Sequence, residues 1–252
     1  MLRRVWFFLV VMSCFMPRAA QAADTPPADT AAERSLAAAA DAGQYAIVVF
    51  YKEQNPATQA MISTIQQGVQ QRPGRATALY VNAASATDRS LVNRFGVSRT
   101  PMPVAVAVAP NGAITGIFAK TISLQRLDGA FVSPGVANCM KWMQAGKLVF
   151  VWARAGQTEM IPVCIDDFQR DAEFAGRSGL VTLDLNDPAE ASFFKELQIN
   201  THSREDVIGL LAPPGMLVGT FSVSASKGDI AAKLHKAGKC CDDPNCKHNK
   251  AH

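Results

Sequence analysis

Short apolar runs alternate along the chain with stretches whose apolar residues recur every three or four positions, the pattern of strands alternating with amphipathic helices. Tyr45 to Tyr51 (YAIVVFY) is an apolar run of strand length. Pro56 opens a helix that places Met61, Ile62, Ile65 and Val69 on one face. Arg75 to Asn82 predicts a second strand, and Ser90 to Phe95 a short helix with Leu91, Val92 and Phe95 inward. Val104 to Ala109 is apolar on both faces, as a central strand covered on two sides must be. Pro110-Asn111-Gly112 is a turn, Ala113 to Ala119 returns as the neighbouring strand, and Leu124, Leu127 and Phe131 mark a last helix. The predicted order is β-α-β-α-β-β-α.

The second half repeats that order. Leu148 to Ala153, Gly179 to Leu185, Val207 to Ala212 and Met216 to Val223 read as strands. Ile165, Phe168, Ala172 and Ala175 lie on one predicted helical face; Phe193, Phe194 and Leu197 mark a second helix, and Ile230 to Leu234 a third. Ile47 and Phe150, Gly112 and Gly215, Phe118 and Phe221, and Leu127 and Ile230 are each 103 positions apart. A constant offset argues for two tandem α/β domains, 44–132 and 147–238, against the alternative of one larger sheet. Between them Val136, Cys139, Met140 and Met143 recur at helical spacing, so 133–146 is expected to be a connecting helix, ended by Gly146 and packed between the domains.

The chain of 252 residues is 48% hydrophobic and 18% charged, which fits globular domains with buried cores. Its start is different. Arg3 and Arg4 precede an apolar run, Val5 to Met16, that is shorter than the roughly 20 residues a bilayer span needs. Pro17 and Ala20-Gln21-Ala22 follow, so 1–22 is expected to be a secretory signal peptide cleaved after Ala22, and the protein periplasmic or secreted. Cys14 is a weak match to a lipidation site. Residues 23–43 begin with Ala, Pro, Thr and Asp and are expected to form a flexible mature N-terminus, with Ala31 to Ala42 able to form a short helix. Loss of Arg3, Arg4 and Arg18 with the leader takes most of the net charge of +4, leaving no footprint for nucleic acid. No later stretch is a membrane span.

Phe95-Gly96-Val97, then Thr100-Pro101-Met102-Pro103, then a strand and Pro110-Asn111-Gly112, resemble the thioredoxin-like fold family. The resemblance implies a cis-proline before the third strand, with Pro103 the first candidate and Pro101 the alternative. It also implies a Cys-x-x-Cys pair at the start of the first helix, where a helix N-terminus lowers thiol pKa. Here that place holds Glu53-Gln54-Asn55-Pro56-Ala57-Thr58, and the matching stretch 154–159 in the second half also lacks cysteine. No proline precedes the third strand of that half at Glu205-Asp206. Dithiol exchange at the inherited sites is therefore excluded, and no catalytic residue or organic cofactor site is expected.

Five cysteines remain after the leader. Cys139 and Cys164 lie on apolar helix faces, as buried free thiols or a possible disulfide. Cys164 as a reactive thiol is disfavoured, since it is expected too far into its helix. The others cluster in 239–252 as Cys240, Cys241 and Cys246, with His248 and His252. Asp242-Asp243-Pro244-Asn245 is turn chemistry that would fold Cys246 back. Thiolates with imidazoles suit zinc or copper, so these five are candidate ligands, with His235 in reserve. A tail disulfide and a redox-active tail thiol are the alternatives. His202 and the pair Asp166 and Asp167 read as solvated polar residues.

The favoured reading is an exported non-enzymatic thioredoxin-like protein that binds another exported protein, and a soft metal through its tail. A thiol-disulfide redox protein using the tail cysteines, and an inert structural or chaperone-like module, are the competing readings.

Overall fold

The computed structural model describes residues 30–156 and 159–238. The first strand, β1 (Tyr45–Tyr51), is apolar on both faces and lies inside a four-stranded mixed sheet. Its neighbours are β2 (Ala76–Asn82), parallel, and β3 (Val104–Val108), antiparallel, with β4 (Ile114–Ala119) antiparallel on the outer side of β3. The sheet order is therefore β2-β1-β3-β4. Helices α1 (Ala31–Asp41) and α3 (Arg89–Arg94) cover one face through Leu36, Ala39, Leu91 and Val92, which pack on Ala46, Val48 and Phe50. The opposite face, with Ile47 and Val49, is covered by α2 (Pro56–Gln70) and α4 (Leu124–Asp128). Alternation along β1 puts successive side chains into different cores, which is why the run must be continuously apolar.

The second sheet has the same plan, β6-β5-β7-β8, from β5 (Leu148–Arg154), β6 (Ser178–Asp184), β7 (Val207–Ala212) and β8 (Met216–Ser222). Strand β6 is parallel to β5, while β7 and β8 are antiparallel additions. Helices α5 (Pro134–Gln144) and α7 (Ala191–Glu196) lie over Val149, Val151 and Ala153. Helices α6 (Val163–Arg170) and α8 (Lys227–Gly238) lie over Phe150 and Trp152. Two separate sheets with one order and one set of connections define two tandem thioredoxin-like α/β domains. Among the described residues the strands form these two sheets and not the single larger one.

Two elements, α6 and α5, differ in detail from the sequence reading. The short helix allowed at Ala31 to Ala42 forms as α1 over residues 31–41, within the stretch 23–43 expected to be flexible, while 23–29 lie outside the described residues. Thr30 and Glu33 close a reciprocal capping box that starts this helix, and Leu36 and Ala39 anchor it. The helix expected to reach Ala175 stops at Arg170, because Asp171 turns extended and its side chain accepts the Glu173 N–H. Helix α5 does more than connect. It covers its own sheet as α1 covers the first, and its Ala137 also packs with Tyr45, Ala109 and Ala113 of domain one. Gln144 bonds both the N–H and the carbonyl of Ile114, pairing an amide with the open edge of β4. The turn before β4 needs Gly112, whose φ of +82° is costly for other residues.

Candidate functional site

In the first domain the chain leaves β1 and enters α2 across a short polar loop. Asn55 starts the helix: its backbone is extended, and its side-chain oxygen accepts the Thr58 N–H at 2.9 Å. Pro56 follows at the first helical position, where no N–H partner is needed. The Thr58 hydroxyl is buried and donates to the Glu53 carbonyl at 2.8 Å, so it is committed to holding the loop. Facing this helix mouth is Pro103, and the Met102–Pro103 peptide bond is cis. Lys52, Glu53, Asn55, Thr58, Met102 and Pro103 enclose an open cleft of about 190 Å³. The sulfur lining it is the Met102 thioether, which cannot become a thiolate. A cleft of this composition can bind, but it cannot exchange disulfides.

The matching place in the second domain is arranged differently. Pro162 holds an extended conformation and α6 begins only at Val163. Cys164 therefore stands in the first turn of its helix, not deep within it as the sequence reading had it. A proline disfavours helical backbone at the residue before it, which delays the start. The position alone would favour a thiolate, but the environment opposes it. Cys164 is 3% exposed; burial pushes its thiol up, with Asp167 acting the same way, against the N–H groups of Ile165 and Cys164 itself. Its Sγ lies 3.8 Å from the Val223 carbonyl oxygen. Around it Met160, Ile161 and Val163 are exposed.

Asp206 occupies the position before β7 that Pro103 holds before β3. Its carboxylate accepts the Trp152 indole N–H at 2.9 Å and the Ala155 N–H at 2.8 Å, tying the end of β5 to the loop before β7. Sequence reasoning missed Asp206, because its partners are more than 50 residues away.

The possible Cys139–Cys164 disulfide does not form, and both thiols are free. Cys139 lies in the core under α5 with Val149 and Val151, whereas Cys164 lies under α6 with Phe150 and Trp152. The sheet itself stands between them. Burial pushes the Cys139 thiol up to about 12, with the nearby Glu190 carboxylate adding to the effect. Neither thiol should react with iodoacetamide in the native protein near the ordinary thiol pKa of about 8.5, while both should react after unfolding. Peptide mapping of the labelled chain checks this; rapid native labelling of either would contradict it.

The candidate ligands Cys240, Cys241, Cys246, His248 and His252 lie outside the described residues. Among the described residues no group of three His, Cys, Asp or Glu is placed to hold a metal. His235 is exposed on α8, 4.0 Å from the Glu173 carboxylate. His202 is exposed in its loop, and Asp166 pairs with Arg170 one turn along α6. No helix among the described residues is long and apolar enough to cross a membrane.

No protein-family model matches the chain, and no curated protein does. Several solved structures are similar at low identity. Thioredoxin O2 from Arabidopsis thaliana is 14% identical with a TM-score of 0.31, over 38% of this chain and 79% of that one. The N-terminal N/C domain of the alkylhydroperoxide reductase AhpF from Enterococcus faecalis is 16% identical with a TM-score of 0.31, over 80% of this chain and 97% of that one. A zinc-bound form of human ERp44 is 13% identical with a TM-score of 0.35, over 80% of this chain and 55% of that one. The class is defined by the sheet order and connections: a pair of thioredoxin-like domains. The helix mouth of each is built without the thiol pair.

Proposed function

We propose that this is an exported, non-enzymatic protein with tandem degenerate thioredoxin-like domains, which binds another exported protein and carries a soft metal on its C-terminal tail. The observation that carries the non-enzymatic reading is the α2 mouth beside Pro103. Its one sulfur is a thioether, and its helix start is already capped by Asn55. The fold is retained while the reacting atoms are gone, so the cleft of about 190 Å³ serves recognition. The second domain supports the same reading, since Cys164 is buried and its burial pushes the thiol pKa up. Export rests on the leader pattern of Arg3, Arg4 and the apolar run to Met16.

The metal rests on the density of soft donors in the tail, three thiols and two imidazoles between Cys240 and His252. Zinc and copper are the candidates. Metal analysis of the protein purified without oxygen, as the full chain and as a chain lacking 240–252, tests this directly. Stoichiometric zinc or copper is expected in the first and absent from the second. Equal, negligible metal in both ends the proposal. N-terminal sequencing of the exported protein should begin at Ala23.

A further inference from the structure

Where the two domains meet, the chain forms a half-open cavity of about 320 Å³. That volume lies within the range of small-molecule sites, which concentrate at domain interfaces. Its walls come from both sides of the junction: Tyr45, Arg75, Pro110 and Val132 from the first domain, and Ala137 and Asn138 from α5. The apolar side is held rigidly. The Tyr45 hydroxyl donates to the Val132 carbonyl at 2.9 Å, and its ring meets Phe131 edge-on at 5.1 Å.

The polar side is one-signed. Arg75 is the charged residue of the lining, and no carboxylate accompanies it. Among the described residues its guanidinium has no ion pair and no side-chain hydrogen bond, whereas nearby Arg72 is taken by Asp128. Asn138 accepts from the Asn111 amide through its oxygen, which leaves its own N–H groups as donors. A cation and an amide donor beside an aromatic and aliphatic wall complement a flat molecule with one negative end. A guanidinium binds a carboxylate through paired N–H donors, and the apolar wall takes the ring.

We propose that the junction cavity binds a small aromatic carboxylate, its ring against Tyr45 and Pro110 and its carboxylate at Arg75. Because the walls belong to both domains, the ligand also stabilises their arrangement.

The test uses the full chain with 2-naphthoate as probe and 2-naphthylmethylamine as the cationic control, followed by calorimetric titration. Saturable one-to-one binding of the carboxylate is expected, with none of the amine. Arg75→Gln, an exposed position, should weaken the carboxylate about tenfold, the worth of one charged hydrogen bond. Asn138→Trp should block the cavity mouth and abolish binding while keeping the parent's unfolding midpoint. Should that variant unfold, Arg75→Gln alone decides. No saturable uptake into the millimolar range, equal uptake of the amine, or affinity unchanged by Arg75→Gln overturns the proposal.

Discussion

Replacing Phe168 by alanine is expected to destabilise the second domain by about 3–5 kcal/mol, the usual cost of emptying a fully buried aromatic site. Phe168 is fully buried on α6 and meets two other rings. It stands edge-on to Phe150 at 5.1 Å and stacked on Phe174 at 4.1 Å. Helix α6 has only eight residues, too few to persist on propensity, so packing holds it in place. Urea unfolding gives the magnitude. The same variant should expose Cys164, on α6, to iodoacetamide while Cys139, under α5 on the opposite face, stays protected. Equal labelling of both thiols, or a loss below about 1 kcal/mol, would show that the three-ring cluster does not anchor the helix.

The second large effect is expected at Glu190, a carboxylate only 2% exposed. It accepts the Ser133 hydroxyl at 2.6 Å and the Gly135 N–H at 2.7 Å, at the start of α5. The positive end of an 11-residue helix and two charge-assisted bonds offset its removal from water. Gly135 is required beside it, since an added Cβ would stand 2.7 Å from the carboxylate. Glu190→Ala would leave the buried Gly135 N–H without a partner and open a void, at a cost of about 2–4 kcal/mol. Glu190→Gln keeps the shape and one acceptor and should lose about 1 kcal/mol. Chemical unfolding of both variants separates the outcomes. Equal losses would mean that the charge alone matters there and that the retained shape and acceptor contribute nothing. The effect should extend to the junction, because the adjacent residues Val132 and Ser133 are bonded to Tyr45 of the first domain and Glu190 of the second.

Much of this architecture is readable one residue at a time. The strand runs YAIVVFY and LVFVWA, the turn at Pro110-Asn111-Gly112 and the offset of 103 positions all depend on local periodicity. The missing thiols depend only on which residues stand at 53–58 and 154–159. Helix limits were less legible. Thr30 and Glu33 carry the capping-box spacing, a signal available in the sequence but not used, whereas the early stop at Arg170 depends on how Asp171 bonds. The roles of Glu190 and Asp206 carry no local signal, because nothing near them in sequence shows which distant donors they bond.

By itself, then, the sequence settled the order of elements, the duplication and the absence of a dithiol at either helix mouth. Those are properties of short windows, where side-chain type and period act directly on the backbone. Tertiary structure decided which side of a sheet each helix covers. That placed Cys139 and Cys164 in different cores, bonded Asp206 to Trp152 and Ala155, and shaped a half-open cavity between Tyr45, Arg75 and α5. Such features join residues tens of positions apart, and only the packing of whole layers brings them together.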